Sequence, residues 1–391
     1  MRIRIRIIMS FLKYLLLSTL SLSVDATTLP LRRHAPLTST SYGTIFDVHA
    51  TIGGQAFDLL VDSGSSDIYI MRDNFTCLNR TTRLTTPPDS CLYDTNRTYT
   101  ISPTYTELPN QIFGIQYGAG IASGVMAYEN ITVAGVSVRQ EIGVANSSTP
   151  MGDGVNSGLL GLAYPSITSS HPANEGVIAA PYFAHALART PPNESGPAFG
   201  GFLSLGELPP VEYEDNRAVA AVEVMEEIPL NFTSGRRALS YWALTTAALM
   251  DSNSSSSSAG APFEVFFDTG NPLSYIPARI ADPLHALFSL LGVYSKELEA
   301  YVVDCNAQAP AGFSLEIVGQ WFEHNPADLI YQTGEDVCIS AIGKSDEVKP
   351  LGLLQLNIIR VRFLKSVLGV FDFGQNEMRF ARVLGDVVIH S

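Results

Sequence analysis

One twelve-residue pattern occurs twice in this chain and fixes most of what the chain can become. Residues 60–71 read Leu-Val-Asp-Ser-Gly-Ser-Ser-Asp-Ile-Tyr-Ile-Met, and residues 266–277 read Phe-Phe-Asp-Thr-Gly-Asn-Pro-Leu-Ser-Tyr-Ile-Pro. Asp62 and Asp268, Tyr69 and Tyr275, and Ile70 and Ile276 keep one offset of 206 positions. A register that holds so far past the central triplet predicts two related halves, each presenting an aspartate at the end of an apolar strand. Gly64 and Gly270 permit a sharp turn after that strand and a close approach by another backbone. The hydroxyls of Ser63 and Thr269 are placed to hydrogen-bond across to the opposing loop. Two such carboxyls face to face cannot both ionise cheaply, so they would share one proton. A lone Asp-Ser-Gly is common in ordinary turns; the matched pair is far more specific. The blander reading is two homologous β-halves that keep a turn without chemistry.

The rest of the chain suits an all-β architecture. Apolar residues make up 46% of the 391 and charged residues 16%, a globular balance with length for a large core. Many Gly and Pro, and no long amphipathic helix, predict short strands joined by turns. Residues 45–52 and 56–61 flank Gly53-Gly54 as a hairpin. Further strands are expected at 111–117, 124–133, 136–144 and 158–165. Helical pattern is confined to Tyr182 to Leu187 and to residues 278–291. The run Pro209 to Arg217 gives a boundary between halves at 34–211 and 212–391, and 252–260 reads as an exposed hairpin tip.

The N-terminus reads as a targeting signal. Arg2, Arg4, Arg6 and Lys13 precede an apolar run at 14–22, and small residues follow at Val24 and Ala26, giving a signal peptide over 1–26. The run is short of the roughly 20 residues a bilayer span needs. A dibasic Arg32-Arg33 then closes a short propeptide-like segment, 27–33. Six of the 24 basic residues but one of the 38 acids lie at or before Arg33, leaving 18 against 37, a net of −19. Such a surface repels nucleic acid and anionic lipid and suits work in acid. Eight Asn-x-Ser/Thr sequons (Asn74, Asn79, Asn96, Asn130, Asn146, Asn193, Asn231, Asn253) point to a secreted glycoprotein. Four cysteines, Cys77, Cys91, Cys305 and Cys338, permit three connectivities, of which local pairing is the simplest. Their spacing suits neither zinc nor redox chemistry. The seven histidines show no metal-ligand spacing, and no Gly-x-Ser-x-Gly elbow occurs, so Ser65 and Ser66 are poor nucleophiles.

Beyond the repeat, Tyr117-Gly118-Ala119-Gly120, the run Leu159-Leu160-Gly161-Leu162-Ala163-Tyr164-Pro165, residues 201–205, Tyr241-Trp242, the Cys305-to-Cys338 interval and residues 363–372 complete a pattern. Over roughly residues 42–384 the chain resembles the pepsin-like (family A1) aspartic proteases of the secreted fungal type. The resemblance implies a bilobal pepsin-like acid protease fold, two related β-lobes with a central cleft. Asp62 and Asp268 would activate water, supported by Ser63, Gly64, Ser65, Thr269, Gly270 and Asn271. Tyr117 and Gly118 would belong to a closing flap, and Leu159 to Gly161 would brace the first catalytic loop. It further implies extended peptide or protein substrates with apolar residues beside the scissile bond, acid activity, a monomer, and no cofactor, metal, nucleic acid or, after signal cleavage, membrane. The destination would be extracellular, with the vacuole as the alternative. The shared proton is established behaviour of that family.

Four departures stand against the pattern. Asn271 replaces a Ser or Thr, and its amide is expected to donate to the dyad instead. Tyr69 replaces a tryptophan, and its hydroxyl is expected to support the flap tyrosine. Leu351-Gly352 lacks the usual following aspartate, so residues 353–360 read as an insertion that disturbs the second brace. The prosegment is short. These departures motivate the alternative of a catalytically impaired relative that binds protein or carbohydrate in the old cleft.

Overall fold

The pattern of alternating apolar positions becomes strands through most of the chain. The computed structural model describes residues 33–389 apart from 119, 168–179, 192–193, 253–254, 259, 335–336 and 348–354. The expected signal 1–26, most of the 27–33 segment, the sequons at Asn193 and Asn253, and Leu351-Gly352 lie outside the described residues. Ile45–Ile52 and Gln55–Asp62 pair antiparallel, and Gly53 and Gly54 take φ of 57° and 79° in the turn between them. Val48, Ala50 and Ile52 bury against Phe57, Leu59 and Val61. That burial carries Asp62 to the end of a fixed strand.

The strand Gly158–Gly161 lies between the strands that enter and leave the first aspartate loop. It runs parallel to Gln55–Asp62, pairing Gly161 with Asp62, and antiparallel to Ile68–Leu78, pairing Leu160 with Ile68. The second half repeats the unit. Phe263–Asp268 runs parallel to Ile358–Arg360, pairing Asp268 with Arg360, and Ile358 meets Tyr275 of Ser274–Ile276. This corrects the expected insertion at 353–360: its last three residues form the second brace strand, buried on every position.

A further correction concerns Tyr182–Leu187, which is a strand and not a helix. It is hydrogen-bonded on one side to Ala198–Leu205 and on the other to Val367–Asp372. Five of its six residues are buried, so no alternation marks it, and a short continuous apolar run fits either element. The other helical expectation is met only over Ala278–His285, and Leu290 and Leu291 beyond it are exposed.

The sheet built around Tyr182–Leu187 ties the halves together. It runs from Ala218–Ala221 through Glu377–Arg382 and Val367–Asp372 to Tyr182–Leu187, Ala198–Leu205 and His34–Thr40. Above it Phe183 stacks on Phe371 at 4.8 Å, and Trp242, fully buried, donates from Nε1 to the Leu162 carbonyl at 2.8 Å. The serine-rich segment forms a hairpin, with Ser255–Ser258 paired to Ala243–Ser252. The cysteines pair locally, Cys77 with Cys91 and Cys305 with Cys338.

Candidate active site

Asp62 and Asp268 end their strands with 6% and 7% exposure, and the loops that follow hold each other. Ser63 N–H donates to Thr269 Oγ1 at 3.0 Å and Thr269 N–H donates to Ser63 Oγ at 3.1 Å. Each hydroxyl then donates onward across the interface, Ser63 to the Phe267 carbonyl (3.1 Å) and Thr269 to the Val61 carbonyl (2.7 Å). Both amides and both hydroxyls at this buried crossing are therefore hydrogen-bonded, which fixes the two loops in one arrangement.

The glycines set how close the carboxyls come. A Cβ on Gly64 would lie 2.6 Å from Asp268 Oδ1, and one on Gly270 would lie 2.6 Å from Asp62 Oδ1. Gly64 N–H donates to Asp62 Oδ1 at 2.8 Å and Gly270 N–H to Asp268 Oδ1 at 2.7 Å. Burial, then the charge of Asp268, push Asp62 up to about 8, aided by a hydrogen bond between the two carboxyls. The Ser65 hydroxyl and the Gly64 amide act against that rise. A carboxyl that keeps its proton beside one that carries charge is an acid–base pair.

The outer oxygens are treated differently. Ser65 Oγ donates to Asp62 Oδ2 at 2.6 Å. In the second half Asn271 stands at that place but does not donate to Asp268, contrary to expectation. Its Oδ1 accepts from Leu273 N–H at 3.3 Å, which turns it along its own loop. Asp268 Oδ2 instead faces Arg360 Nη2 at 3.2 Å. The sequence reading missed Arg360, because only the parallel pairing brings it beside the aspartate.

Tyr117 and Gly118 sit over the dyad at the tip of a hairpin between Thr106–Gln116 and Ile121–Val133. Tyr117 N–H donates to the Gly120 carbonyl at 2.8 Å, and Gly120 N–H donates back at 3.2 Å. Both line a cavity of about 510 Å³ that also holds the two aspartates, with Leu60, Phe266 and Ile358 as its apolar wall. The expected support from Tyr69 takes another form. Its hydroxyl bonds that of Tyr93 at 3.0 Å, and Tyr93 reaches Ser148 at 3.3 Å, while the ring packs on Phe113. The Tyr117 hydroxyl is buried beside Ser65 instead. Asn74, Asn79, Asn96, Asn130, Asn146 and Asn231 are all exposed. No helix among the described residues is long and apolar enough to cross a membrane.

Residues 46–383 match the model of a family described as eukaryotic aspartyl protease. The chain is similar to a probable aspartic-type endopeptidase of Aspergillus fumigatus, 33% identical across 89% of this chain and 80% of that protein. Rhizopuspepsin of Rhizopus chinensis is 25% identical across 88% and 80%. Among solved structures, the aspartic proteinase from Irpex lacteus has a TM-score of 0.67 at 18% identity, covering 90% of this chain and 97% of that one.

Proposed function

The chain belongs to the eukaryotic aspartyl protease family, and we propose that it cleaves peptide bonds with a water activated between Asp62 and Asp268. An aspartic-type endopeptidase with peptide or protein substrates is what that membership means. The observation that carries the two-aspartate reading is the reciprocal bonding of Ser63 and Thr269, which holds the two aspartate loops against each other, with burial and the charge of Asp268 raising Asp62 to about 8. One carboxylate takes a proton from water as the water oxygen attacks the scissile carbonyl carbon. The other carboxyl gives its proton to the carbonyl oxygen.

The halves 34–211 and 212–391 act as two lobes, and the hairpin carrying Tyr117 and Gly118 closes over an extended substrate. Apolar residues flank the scissile bond, in keeping with Leu60, Phe266 and Ile358 on the cleft wall. Work in acid is supported by the dyad, whose shared proton is lost as pH rises through about 8, and by the excess of acidic over basic residues. The protein is a secreted monomer, with the vacuole as the alternative destination, freed of 1–26 and of the 27–33 segment. Six exposed sequons, with Asn193 and Asn253, are its glycan sites.

Hydrolysis of acid-denatured globin by the processed chain, with Asp62→Asn and Asp268→Asn as controls, tests the mechanism. Both substitutions should abolish cleavage; activity retained in either would sink the dyad assignment. A cleft that binds without cutting is the second reading, favoured by Arg360 beside Asp268 and by the turned-away Asn271. Cleavage by the unaltered chain decides against it.

A further inference from the structure

The two halves of the site share one pairing and differ at one position within it. Asp62 is in register with Gly161, and Asp268 with Arg360. At Gly161 a Cβ would meet the Asp67 carbonyl oxygen at 2.5 Å, so the first half has no room for a side chain there. The second half carries an arginine, anchored by its own N–H donating to Ser274 Oγ at 2.9 Å. Its guanidinium lines the cleft at 10% side-chain exposure and meets Asp268 Oδ2, while its Nε has no hydrogen-bond partner among the described residues. The corresponding oxygen of Asp62 takes the Ser65 hydroxyl. A neutral donor on one side is matched by a fixed positive charge on the other.

We infer that Arg360 is a positioning residue that holds the negative charge of the dyad on Asp268 and leaves the shared proton on Asp62, so that the one-proton state of the pair persists to lower pH than a dyad without the arginine would allow. The catalytic consequence rests on the endopeptidase mechanism above; the charge assignment does not. An arginine stays protonated across the whole working range, and a cation in contact with a carboxylate favours its charged form. Among the described residues Asp62 has no such partner, and burial and the charge of Asp268 act on it in the opposite sense. The other titratable groups around the pair do not compete. Tyr69, Tyr117, Tyr241, Tyr275 and Tyr331 are held neutral by burial, and the cleft wall adds one charge of each sign, Glu299 and Arg80.

The roles in the reaction follow. Asp268 accepts the water proton as the C–O bond forms, and Asp62 protonates the carbonyl oxygen. On collapse the C–N bond breaks, Asp268 passes its proton to the leaving amine, and Asp62 recovers a proton from the diol. Both carboxyls end as they began.

The test compares the wild-type chain with Arg360→Gly, which installs the residue of the first half, Arg360→Met, which keeps bulk without charge, and Arg360→Lys. One readout is the pH profile of kcat/KM on an unstructured peptide. The other is the pH dependence of binding of a statine-containing peptide by calorimetry, which needs no turnover. In the Gly and Met variants the acidic limb of both profiles should move up by about 1–3 pH units, the alkaline limb should move less, and the Lys variant should stay with wild type. Either charge-removing variant with an unchanged melting temperature suffices. An acidic limb that does not move, or a Lys variant that follows Met, overturns the inference. A wild type that binds the statine peptide but does not cut defeats the endopeptidase mechanism and still leaves the binding limb to decide on Arg360. One that neither binds nor cuts overturns both.

Discussion

A hydrogen atom is all that Gly64 and Gly270 can present to the opposite carboxyl. A methyl on Gly64 would fall 2.5 Å from Asp268 Cγ, and one on Gly270 would fall 2.7 Å from Asp62 Cγ. Gly64→Ala or Gly270→Ala must push the loops apart, and because productive geometry tolerates little displacement, kcat/KM should drop by about 10²-fold or more. Circular dichroism should show the fold retained, which separates this outcome from collapse. Ser65 offers a subtler change, since its hydroxyl is the strongest influence holding Asp62 down against burial and Asp268. In Ser65→Ala the alkaline limb of the pH profile should therefore move up from about 8, and a downward move would contradict the assignment. The aspartates and their glycines were legible in the sequence because strand, turn and carboxyl lie within a few residues of one another. Asn271 and Arg360 were not. The direction of an asparagine amide and the partner of a parallel strand are set by contacts far along the chain, which no local pattern encodes.

At the level of elements, the hardest strands to read were those buried on both faces. Tyr182–Leu187 and Ile358–Arg360 are flanked by strands on each side and carry no polar alternation to reveal their period. The repeat was legible in the two entering strands and illegible in the second brace, because Ile-Ile-Arg does not resemble Leu-Leu-Gly until the pairing aligns them. The helix that follows this brace, Val361–Leu364, is tied down electrostatically. Asp328, 4% exposed, accepts from Arg189 Nε at 2.7 Å and lies 4.0 Å from both Arg362 and Lys365. One carboxylate thus serves three cations, and burial together with Arg362 already lowers Lys365 to about 7. Asp328→Asn would leave those charges uncompensated, which costs about 3–5 kcal/mol for a buried pair, with the lower end expected because Lys365 can shed its proton. A urea midpoint that falls with an unchanged m-value would report this loss. An unaltered midpoint would show the cluster to be energetically idle.

For the molecule as a whole, two sets of buried groups oppose each other across the pH scale. His185, His285 and His324 are lowered to about 4 by burial. The stability they allow is present above the unfolded value near 6.5 and is lost as pH falls through about 4. Asp62 and Glu264 are raised to about 8, both mainly by burial, Glu264 with help from Glu227, and Asp47 is raised in the same direction. Their contribution is complete below the ordinary carboxylate range and is lost as pH rises through about 8. Between pH 4 and 6.5 the three histidines and three carboxyls pull in opposite senses, so stability should be nearly flat. Above 6.5 the histidine side is exhausted; Lys365, lowered to about 7, opposes the carboxyls above that pH, but they outnumber it. Each such carboxyl then removes about 1.4 kcal/mol per pH unit for as long as the folded form keeps the proton that the unfolded form has lost. Glu264 adds less, being about half exposed to screening solvent. Melting temperature measured across this range should therefore be level in acid and fall from neutral upward, and the fall should be shallower in Asp62→Asn. A slope between pH 6.5 and 8 that is the same in wild type and Asp62→Asn would mean that the dyad does not hold its proton in the folded chain, and the acid–base pairing of Asp62 with Asp268 would have to be abandoned.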